Sequence, residues 1–209
     1  MIIKPPLKWG RHQKLITMSK IKKVFTDEQV EQLMQASGGG ALGARFRCII
    51  AVMWMCGLRI GEALDLKPSD IDWSENKIRI RNGKGGNDDW TVMPNAFRPY
   101  YDGWMAHRKK VDLPKASPLF CVLSKSVGKR IYPQYIWNRM KQLGKKLFGE
   151  DEPCHPHMLR RTCATRRLHK GYDLIDVASF LRHKTTASTH HYLVIANKED
   201  LAKKAADDW

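Results

Sequence analysis

Residues 156–165 read Pro156-His157-Met158-Leu159-Arg160-Arg161-Thr162-Cys163-Ala164-Thr165. Its pattern predicts a helix over 157–169, which Gly171 ends. On such a helix His157 and Arg160 are three residues apart and share one face. A histidine beside an arginine suits a site that holds a phosphate and moves a proton. A basic surface helix has the same pattern, so this segment alone leaves both interpretations open.

A second basic stretch follows and reads Leu181-Arg182-His183-Lys184-Thr185-Thr186-Ala187-Ser188-Thr189-His190-His191-Tyr192. A helix is predicted over 174–182. His183 and Tyr192 are nine residues apart, so on one continuous helix they would lie on opposite faces. For both to reach one phosphate the chain must break between them, and 184–188 carries β-branched and capping residues that suit a break. Alone, Tyr192 is equally explained as a packed tyrosine with its hydroxyl at the surface.

A third segment lies upstream and reads Cys56-Gly57-Leu58-Arg59-Ile60-Gly61-Glu62-Ala63-Leu64. The apolar stretch 46–55 before it predicts a central buried helix that Gly57 ends, and a short helix carries Arg59 and Glu62. Between 71 and 94 apolar residues recur at every second position, which predicts three short strands. The turn between the last two contains Gly83-Lys84-Gly85-Gly86.

The remaining pattern is helical. Thr26 to Gln29 form a capping box, with Val30, Leu33 and Met34 on one face after it. Further helices are predicted over 95–110, over 133–147 and from 197 onward. The predicted fold class is therefore mainly α with a small three-stranded antiparallel β-sheet, an α+β arrangement. One domain is expected over 26–209, preceded by a flexible basic arm over 1–25.

The charge points to a polyanionic partner. The 209 residues include 37 Lys+Arg against 21 Asp+Glu, a formal charge of +16. Nucleic acid is the first partner this suggests, and an anionic membrane surface the second. The longest apolar run, 48–58, is too short to span a bilayer, and the N-terminus lacks a signal-peptide pattern. Five cysteines without a CxxC pair argue against a disulfide scaffold, so a cytoplasmic protein is expected.

Taken together, the three segments resemble the tyrosine recombinases, the phage integrase family. The stretch 56–64 is similar to the first arginine box of that family, and 156–165 to its His-x-x-Arg box. The stretch 181–192 resembles the third box with its tyrosine nucleophile, and Lys84 matches the hairpin lysine. The elements occur in the family's order over 26–196, which implies the fold of its catalytic domain. Arg161 and Arg182 depart from the pattern, where a histidine and a glycine are usual.

The resemblance implies a mechanism and assigns the residues that perform it. Tyr192 would attack the scissile phosphate, form a 3′-phosphotyrosine and free a 5′-hydroxyl, without ATP, metal or other cofactor. Arg59 and Arg160 would clamp the phosphate oxygens. Lys84 would protonate the leaving oxygen. His157 would accept the tyrosine proton or orient the phosphate, and His183 would hydrogen-bond the same phosphate. Glu62 would support the site without reacting.

The implied partner is a double-stranded DNA recombination site, bound by a homo-oligomer from dimer to tetramer, with accessory DNA-bending or directionality proteins as further partners. Basic residues expected to bind DNA are Lys4, Lys8, Arg11, Lys14, Lys20, Lys22, Lys23, Arg139, Lys141, Arg161 and Arg182. Family members usually carry a core-binding domain before the catalytic one, and only about 25 residues precede Thr26. In size the chain resembles the small fimbrial phase-variation invertases.

Three alternatives compete with site-specific recombination. A type IB topoisomerase-like nicking and closing enzyme would use the same residues. A DNA-binding regulator could keep the fold without the chemistry, although the intact residue set argues against this. A zinc site built from Cys154, His155, His157 and Cys163 has a spacing that matches no common zinc pattern.

Overall fold

A computed structural model describes residues 23–81, 88–114 and 116–183. In chain order its elements are α1 (Asp27–Gln35), α2 (Gly40–Cys56), α3 (Ile60–Asp65), β1 (Ile71–Asp72), β2 (Lys77–Ile80), β3 (Asp89–Val92), α4 (Arg98–Arg108), α5 (Pro133–Phe148), α6 (Pro156–His169) and α7 (Leu174–Phe180). Turns of 3₁₀ helix, Pro68–Asp70 and Asn95–Phe97, precede β1 and α4. The predicted fold class is confirmed.

Helix α2 lies at the centre of the core because it is apolar on nearly every side. Ile50, Val52 and Met53 are fully buried, and α4 and α6 pack against this helix. The helix begins earlier than the apolar stretch 46–55 predicts, at Gly40. Its predicted end is confirmed, because Gly57 follows it in the left-handed conformation with φ of 66°.

Helix α1 begins with the predicted capping box. The Gln29 amide donates to Thr26 Oγ1 at 3.2 Å, and the Thr26 amide donates to Gln29 Oε1 at 3.0 Å. Val30, Leu33 and Met34 form the buried face of this helix, as the spacing predicts. The first helix is thus anchored at its start by local hydrogen bonds and along one face by the core.

The sheet is a simple antiparallel meander in the order β1-β2-β3. Ile78 pairs with Ile71 on one side and with Thr91 on the other. Thr91 is buried, and its Oγ1 donates to the carbonyl of Cys56 at 3.4 Å. This contact fixes the sheet beside the C-terminal end of α2, where the first arginine box begins.

Two predicted helices have different bounds in the structure. The predicted helix 95–110 starts as the 3₁₀ turn, and α4 covers only Arg98–Arg108. The predicted helix 174–182 ends at Phe180, because Arg182 takes a left-handed conformation with φ of 55°. Of the predicted arm 1–25, residues 1–22 lie outside the described residues, as does the predicted helix 197–209, whereas Phe25 is buried and its amide donates to Thr162 Oγ1 at 2.9 Å. Within the described ranges, no helix is long and apolar enough to cross a membrane.

Candidate active site

The turn between α2 and α3 presents the first arginine of the site. Gly57 packs so closely on the end of α7 that a Cβ there would lie 2.8 Å from Leu181 Cδ2 and from Phe180 Cε1. Its left-handed backbone also favours glycine. The turn delivers Arg59 as the N-cap residue of α3. The guanidinium of Arg59 therefore starts at a helix N-terminus, where the backbone dipole also favours an anion.

Glu62, one turn into α3, holds Arg59 in place. The Arg59 amide donates to Glu62 Oε2 at 2.7 Å, and Arg59 Nη1 donates to Oε1 at 2.6 Å. The Arg59 side chain remains 32% exposed. It is thus oriented by one carboxylate while part of its surface stays accessible to a ligand.

Arg160, on α6, is the second arginine of the site and is 5% exposed. Its Nη1 donates to the carbonyl of Gly57, and its Nη2 donates to the carbonyl of Leu181. A buried guanidinium needs such partners to offset its lost hydration. These bonds tie α6 to the α2–α3 turn and to the end of α7, so Arg160 joins three segments that are far apart in sequence.

Glu62 is the acidic centre of the cluster. Besides Arg59, its Oε2 lies 2.7 Å from Arg182 Nη2 and 3.8 Å from Arg160 Nη1. Burial by itself raises the pKa of Glu62, but the charge of Arg182 and the hydrogen bonds and charge of Arg59 outweigh it and lower that pKa. Three guanidinium groups against one carboxylate leave two positive charges, which makes the cluster a site for an anion.

The position of Arg182 differs from the one expected from the sequence. Arg182 was expected to contact DNA, but its side chain is 7% exposed and is held by Glu62. Its Nη1 also donates to the carbonyl of Phe180 at 3.2 Å. A residue at the end of a helix can fold its side chain back over the preceding elements, and here a buried carboxylate draws the guanidinium inward. Arg182 belongs to the interior of the site.

His157 and His183 approach the cluster from different elements. His157 lies in the first turn of α6, with part of its side chain exposed and part covered. Its pKa is lowered by partial burial and then by the charges of Arg161, Arg160 and Arg59, which shows how close these groups are. The His183 amide donates to the carbonyl of Ala178 at 2.9 Å. His183 is thus fixed two residues after the Leu181 carbonyl that accepts from Arg160.

Two of the six residues assigned to catalysis from the sequence, Lys84 and Tyr192, lie outside the described residues. The same holds for the basic arm residues Lys4, Lys8, Arg11, Lys14, Lys20 and Lys22. Their roles stay predictions. The structure brings together Arg59, Glu62, Arg160 and Arg182, with His157 close enough for Arg160 and Arg59 to lower its pKa and with the backbone of His183 next to Arg182.

The other basic residues expected to bind DNA have varied positions. Arg139 is partly buried on the inner side of α5, where its Nη2 donates to the carbonyl of Ser37 at 3.3 Å and its guanidinium lies over Phe46. The helical period turns position 139 partly toward α1 and α2, and its contact with DNA stays a prediction. Lys141 is exposed. Lys23 is exposed and pairs with Glu152 at 2.7 Å, and Arg161 lies close to His155 and His157.

The residues of the zinc alternative lie in two different environments. Cys154 packs against Gly144 of α5, whose added Cβ would come within 2.9 Å of its Sγ. Cys163 donates to the carbonyl of Met55 at 3.7 Å. Among the residues that the structure describes, no group of three or more His, Cys, Asp or Glu side chains is arranged to hold a metal ion.

Sequence reasoning missed the carbonyl acceptors of Arg160 and the inward turn of Arg182. It also missed Trp137, whose indole lies against both His155 and His157. A tryptophan as the fifth residue of α5 carries no chemical signal in the sequence. Only the packing of α5 on α6 reveals its position beside His157.

The fold and the arginine cluster together define a class of protein, the catalytic domains of enzymes that transfer DNA strands. The model of the phage integrase family matches residues 23–199. The chain belongs to this family and is a tyrosine recombinase, which confirms the resemblance and the enzyme class predicted from its motifs.

Individual relatives agree with this assignment. The type 1 fimbriae regulatory protein FimE of Escherichia coli K12 is 32% identical over 177 residues, which cover 84% of this chain and 86% of FimE. A crystal structure of XerA recombinase has a TM-score of 0.75 at 26% identity and covers 96% of this chain and 67% of XerA. XerH recombinase in a post-cleavage complex with a palindromic difH substrate shares the fold, with a TM-score of 0.73, 22% identity, and coverage of 91% and 54%.

Proposed function

We propose that this chain breaks and rejoins DNA strands at a specific site through Tyr192, with Arg59 and Arg160 holding the scissile phosphate. The single observation that carries the proposal is the convergence of Arg59 and Arg160 on Glu62, which gathers positive charge in a fixed geometry. A phosphodiester in the transition state carries extra charge on its non-bridging oxygens, and preorganised guanidinium groups stabilise that charge.

The covalent step requires neither water nor a metal ion. Tyr192 Oη attacks phosphorus, the bond from phosphorus to the 5′-oxygen breaks, and a phosphotyrosyl bond forms on the 3′ side. The tyrosine proton passes to His157, and Lys84 supplies a proton to the departing 5′-oxygen. Rejoining reverses each transfer with the 5′-hydroxyl of a second strand. Because the phosphotyrosyl bond conserves the ester, no nucleotide cofactor is consumed.

The state of His157 supports its role as the proton acceptor. Partial burial and then the charges of Arg161, Arg160 and Arg59 lower its pKa, so the imidazole is neutral at neutral pH. A neutral imidazole can accept a proton from tyrosine, whereas an imidazolium cannot. His183 is proposed to hydrogen-bond the same phosphate from the turn after α7.

The proposed partner is double-stranded DNA, in keeping with the charge of +16 and with the DNA complex of XerH. Exchange between two duplexes breaks four strands, and each chain offers one Tyr192. We therefore propose that the chain acts as a homo-oligomer, dimer to tetramer, on DNA in the cytoplasm, with accessory DNA-bending proteins. Lys23, Lys141, Arg161 and the basic residues of the arm are proposed to contact the phosphate backbone.

A suicide substrate tests the proposal directly. The substrate is a duplex of the DNA that flanks the gene, with a nick close to the cleavage site. Cleavage releases the short fragment that carries the free 5′-hydroxyl, so rejoining is prevented and the covalent protein–DNA adduct accumulates. We expect the adduct with the wild-type chain and with Tyr172→Phe, a matched control at an exposed tyrosine, but none with Tyr192→Phe. The adduct should also form in EDTA. An adduct with Tyr192→Phe, or a strict need for a metal ion, would refute the mechanism.

A further inference from the structure

Three aromatic rings meet at the start of α6, next to the arginine cluster. Trp137 of α5 and His155, the N-cap residue of α6, are stacked with ring centroids 4.9 Å apart and an interplanar angle of 11°. His157 stands edge-on to both rings, at 6.3 Å from Trp137 and 6.4 Å from His155, each at 71°. The stack of Trp137 and His155 thus forms one wall beside the imidazole of His157.

The contacts with this wall are the ring contacts of the exposed His157 side chain. Within the described ranges, no hydrogen bond to the His157 side chain fixes its direction, and the charged groups around it are Arg59, Arg160 and Arg161. Aromatic rings favour edge-to-face contact because ring edges carry partial positive charge and ring faces partial negative charge. An indole that is itself held by stacking on His155 therefore favours one edge-on orientation of the imidazole.

Trp137 is not part of the hydrophobic core. Helix α5 contributes Ile136, Met140 and Leu143 to that core, whereas Trp137 lies on the neighbouring face and is only partly buried. We therefore expect a smaller side chain at 137 to leave the core intact.

We propose that Trp137 is a positioning residue, which, backed by His155, holds the imidazole of His157 in the orientation that proton transfer at the scissile phosphate requires. The inference rests on the proposed function for the reaction itself, but the ring geometry stands independently of it. Holding a reacting group in place lowers the barrier because its orientation is settled before the reaction begins.

The chemistry of His155 fits a supporting ring rather than a second proton carrier. Burial, the charge of Arg161 and the neighbouring His157 lower the pKa of His155 to about 4. Its Nδ1 is buried and finds no hydrogen-bond partner within the described part of the chain. The ring is therefore neutral under working conditions, so it stacks on Trp137 without adding a charge beside Arg59, Arg160 and Arg161.

The test compares Trp137→Leu with Trp137→Phe in the full chain. We expect Trp137→Leu to lower the single-turnover cleavage rate about tenfold or more, because a misoriented acceptor is inefficient, while DNA affinity changes less than about twofold. Trp137→Phe keeps an aromatic face and should retain the rate within about threefold. Equal loss with both variants, or a loss of affinity alone, would overturn the proposal.

A second measurement does not depend on DNA. NMR titration of the His157 imidazole should show its pKa moving back toward the ordinary value in Trp137→Leu, because the ring becomes more hydrated. His155→Phe, which keeps the stack without a titratable group, should leave the lowered pKa of His157 in place. A His157 pKa that returns to the ordinary value in His155→Phe would refute the supporting role of the ring.

The control is Trp73→Leu, at a tryptophan that packs on Phe97 and Tyr101 away from the site. This variant should be destabilised, yet the folded protein should cleave at the wild-type rate with an unchanged His157 titration. A purely structural Trp137 would behave in the same way, which would overturn the inference. If the wild-type chain forms no adduct, the proposed function fails, and the titration still tests whether Trp137 packs on His157 and shields it from water.

Discussion

Arg182 Nη2 lies 2.7 Å from Glu62 Oε2, a contact that joins the first arginine box to the third across 120 residues of sequence. Arg182 makes this contact from a left-handed backbone conformation, directly after α7. The His183 and Arg182 amides donate back to the carbonyls of Ala178 and Ser179, so the turn has the hydrogen bonds of a Schellman cap. The ion pair holds a non-glycine residue where glycine is strongly favoured.

Replacing Arg182 separates the backbone strain from the ion pair. Arg182→Gly relieves the strain but leaves Glu62 with one fewer cation, and we expect the free energy of unfolding to fall by about 1–2 kcal/mol. Arg182→Ala loses the pair and keeps the strain, so it should be less stable than Arg182→Gly by about 1 kcal/mol. Urea denaturation measures both. An alanine variant as stable as the glycine variant would contradict this account of the turn.

Gly57 and Gly61 form a matched pair for testing close packing. Gly57→Ala adds a Cβ that overlaps Leu181 and Phe180 in a left-handed turn, and we expect a loss of about 2–4 kcal/mol in stability. Gly61→Ala lies within α3, where an added Cβ meets no atom within 4 Å. It should raise stability by up to about 1 kcal/mol. Thermal or urea unfolding compares them, and equal effects would be inconsistent with the structure.

Arg160→Lys tests whether the site needs the planar fork or only the charge. An ammonium cannot donate to the Gly57 and Leu181 carbonyls and also face a phosphate in the same plane. We expect cleavage of the suicide substrate to fall on the order of 10²–10³-fold, by analogy with loss of an oxyanion donor. DNA affinity should change little, because the charge is kept.

Arg166→Lys is the control for that experiment. Arg166 lies on the same helix, pairs with Asp27 and stacks on Trp54, outside the cluster. Its replacement should leave the cleavage rate within about twofold, because exposed ion pairs contribute little. A comparable loss at both positions would point to a general effect on α6.

His155 makes stability depend on pH. Its pKa is about 4 in the folded chain against an ordinary value of 6.5, so the unfolded chain binds the proton first as the pH falls. The stabilisation is complete above pH 6.5 and is lost as the pH falls toward 4. Between pH 7.5 and pH 5 we expect a loss of about 2 kcal/mol from this group.

The matched variant is His155→Phe, which cannot take up a proton. Urea denaturation at pH 7.5 and pH 5 should show a smaller difference between the two pH values than in the wild-type chain. His157, whose pKa is also lowered, contributes a remaining dependence of the same sign. A pH dependence unchanged by His155→Phe would contradict the assignment.

Local signals in the sequence predict much of the fold. The capping box at Thr26, the stop at Gly57 and the alternation over 71–94 each depend on neighbouring residues, and each is confirmed. The motif spacing also leads to the phage integrase family. These features can be predicted because short-range hydrogen bonds require particular residue types at helix ends, and because the burial of one face makes apolar residues recur at regular intervals.

The direction of long polar side chains cannot be predicted from local sequence in the same way. Arg139 and Arg182 look like surface cations in sequence, yet one lies over Phe46 and the other pairs with Glu62. Their partners come from elements 93 or more residues away, so no local pattern indicates them. The position of Trp137 beside His157 depends in the same way on how α5 packs against α6.

Helix α7 has a separate packing arrangement, since Val177 and Leu181 form a small cluster with Ala164 apart from the main core. Such a short, lightly packed helix opens at a lower free energy than the whole domain. Each opening removes the Leu181 carbonyl from Arg160 and carries Arg182 away from Glu62. We therefore expect mild heat or denaturant to abolish catalysis while most of the molecule is still native, so that the loss of activity precedes the loss of helix content.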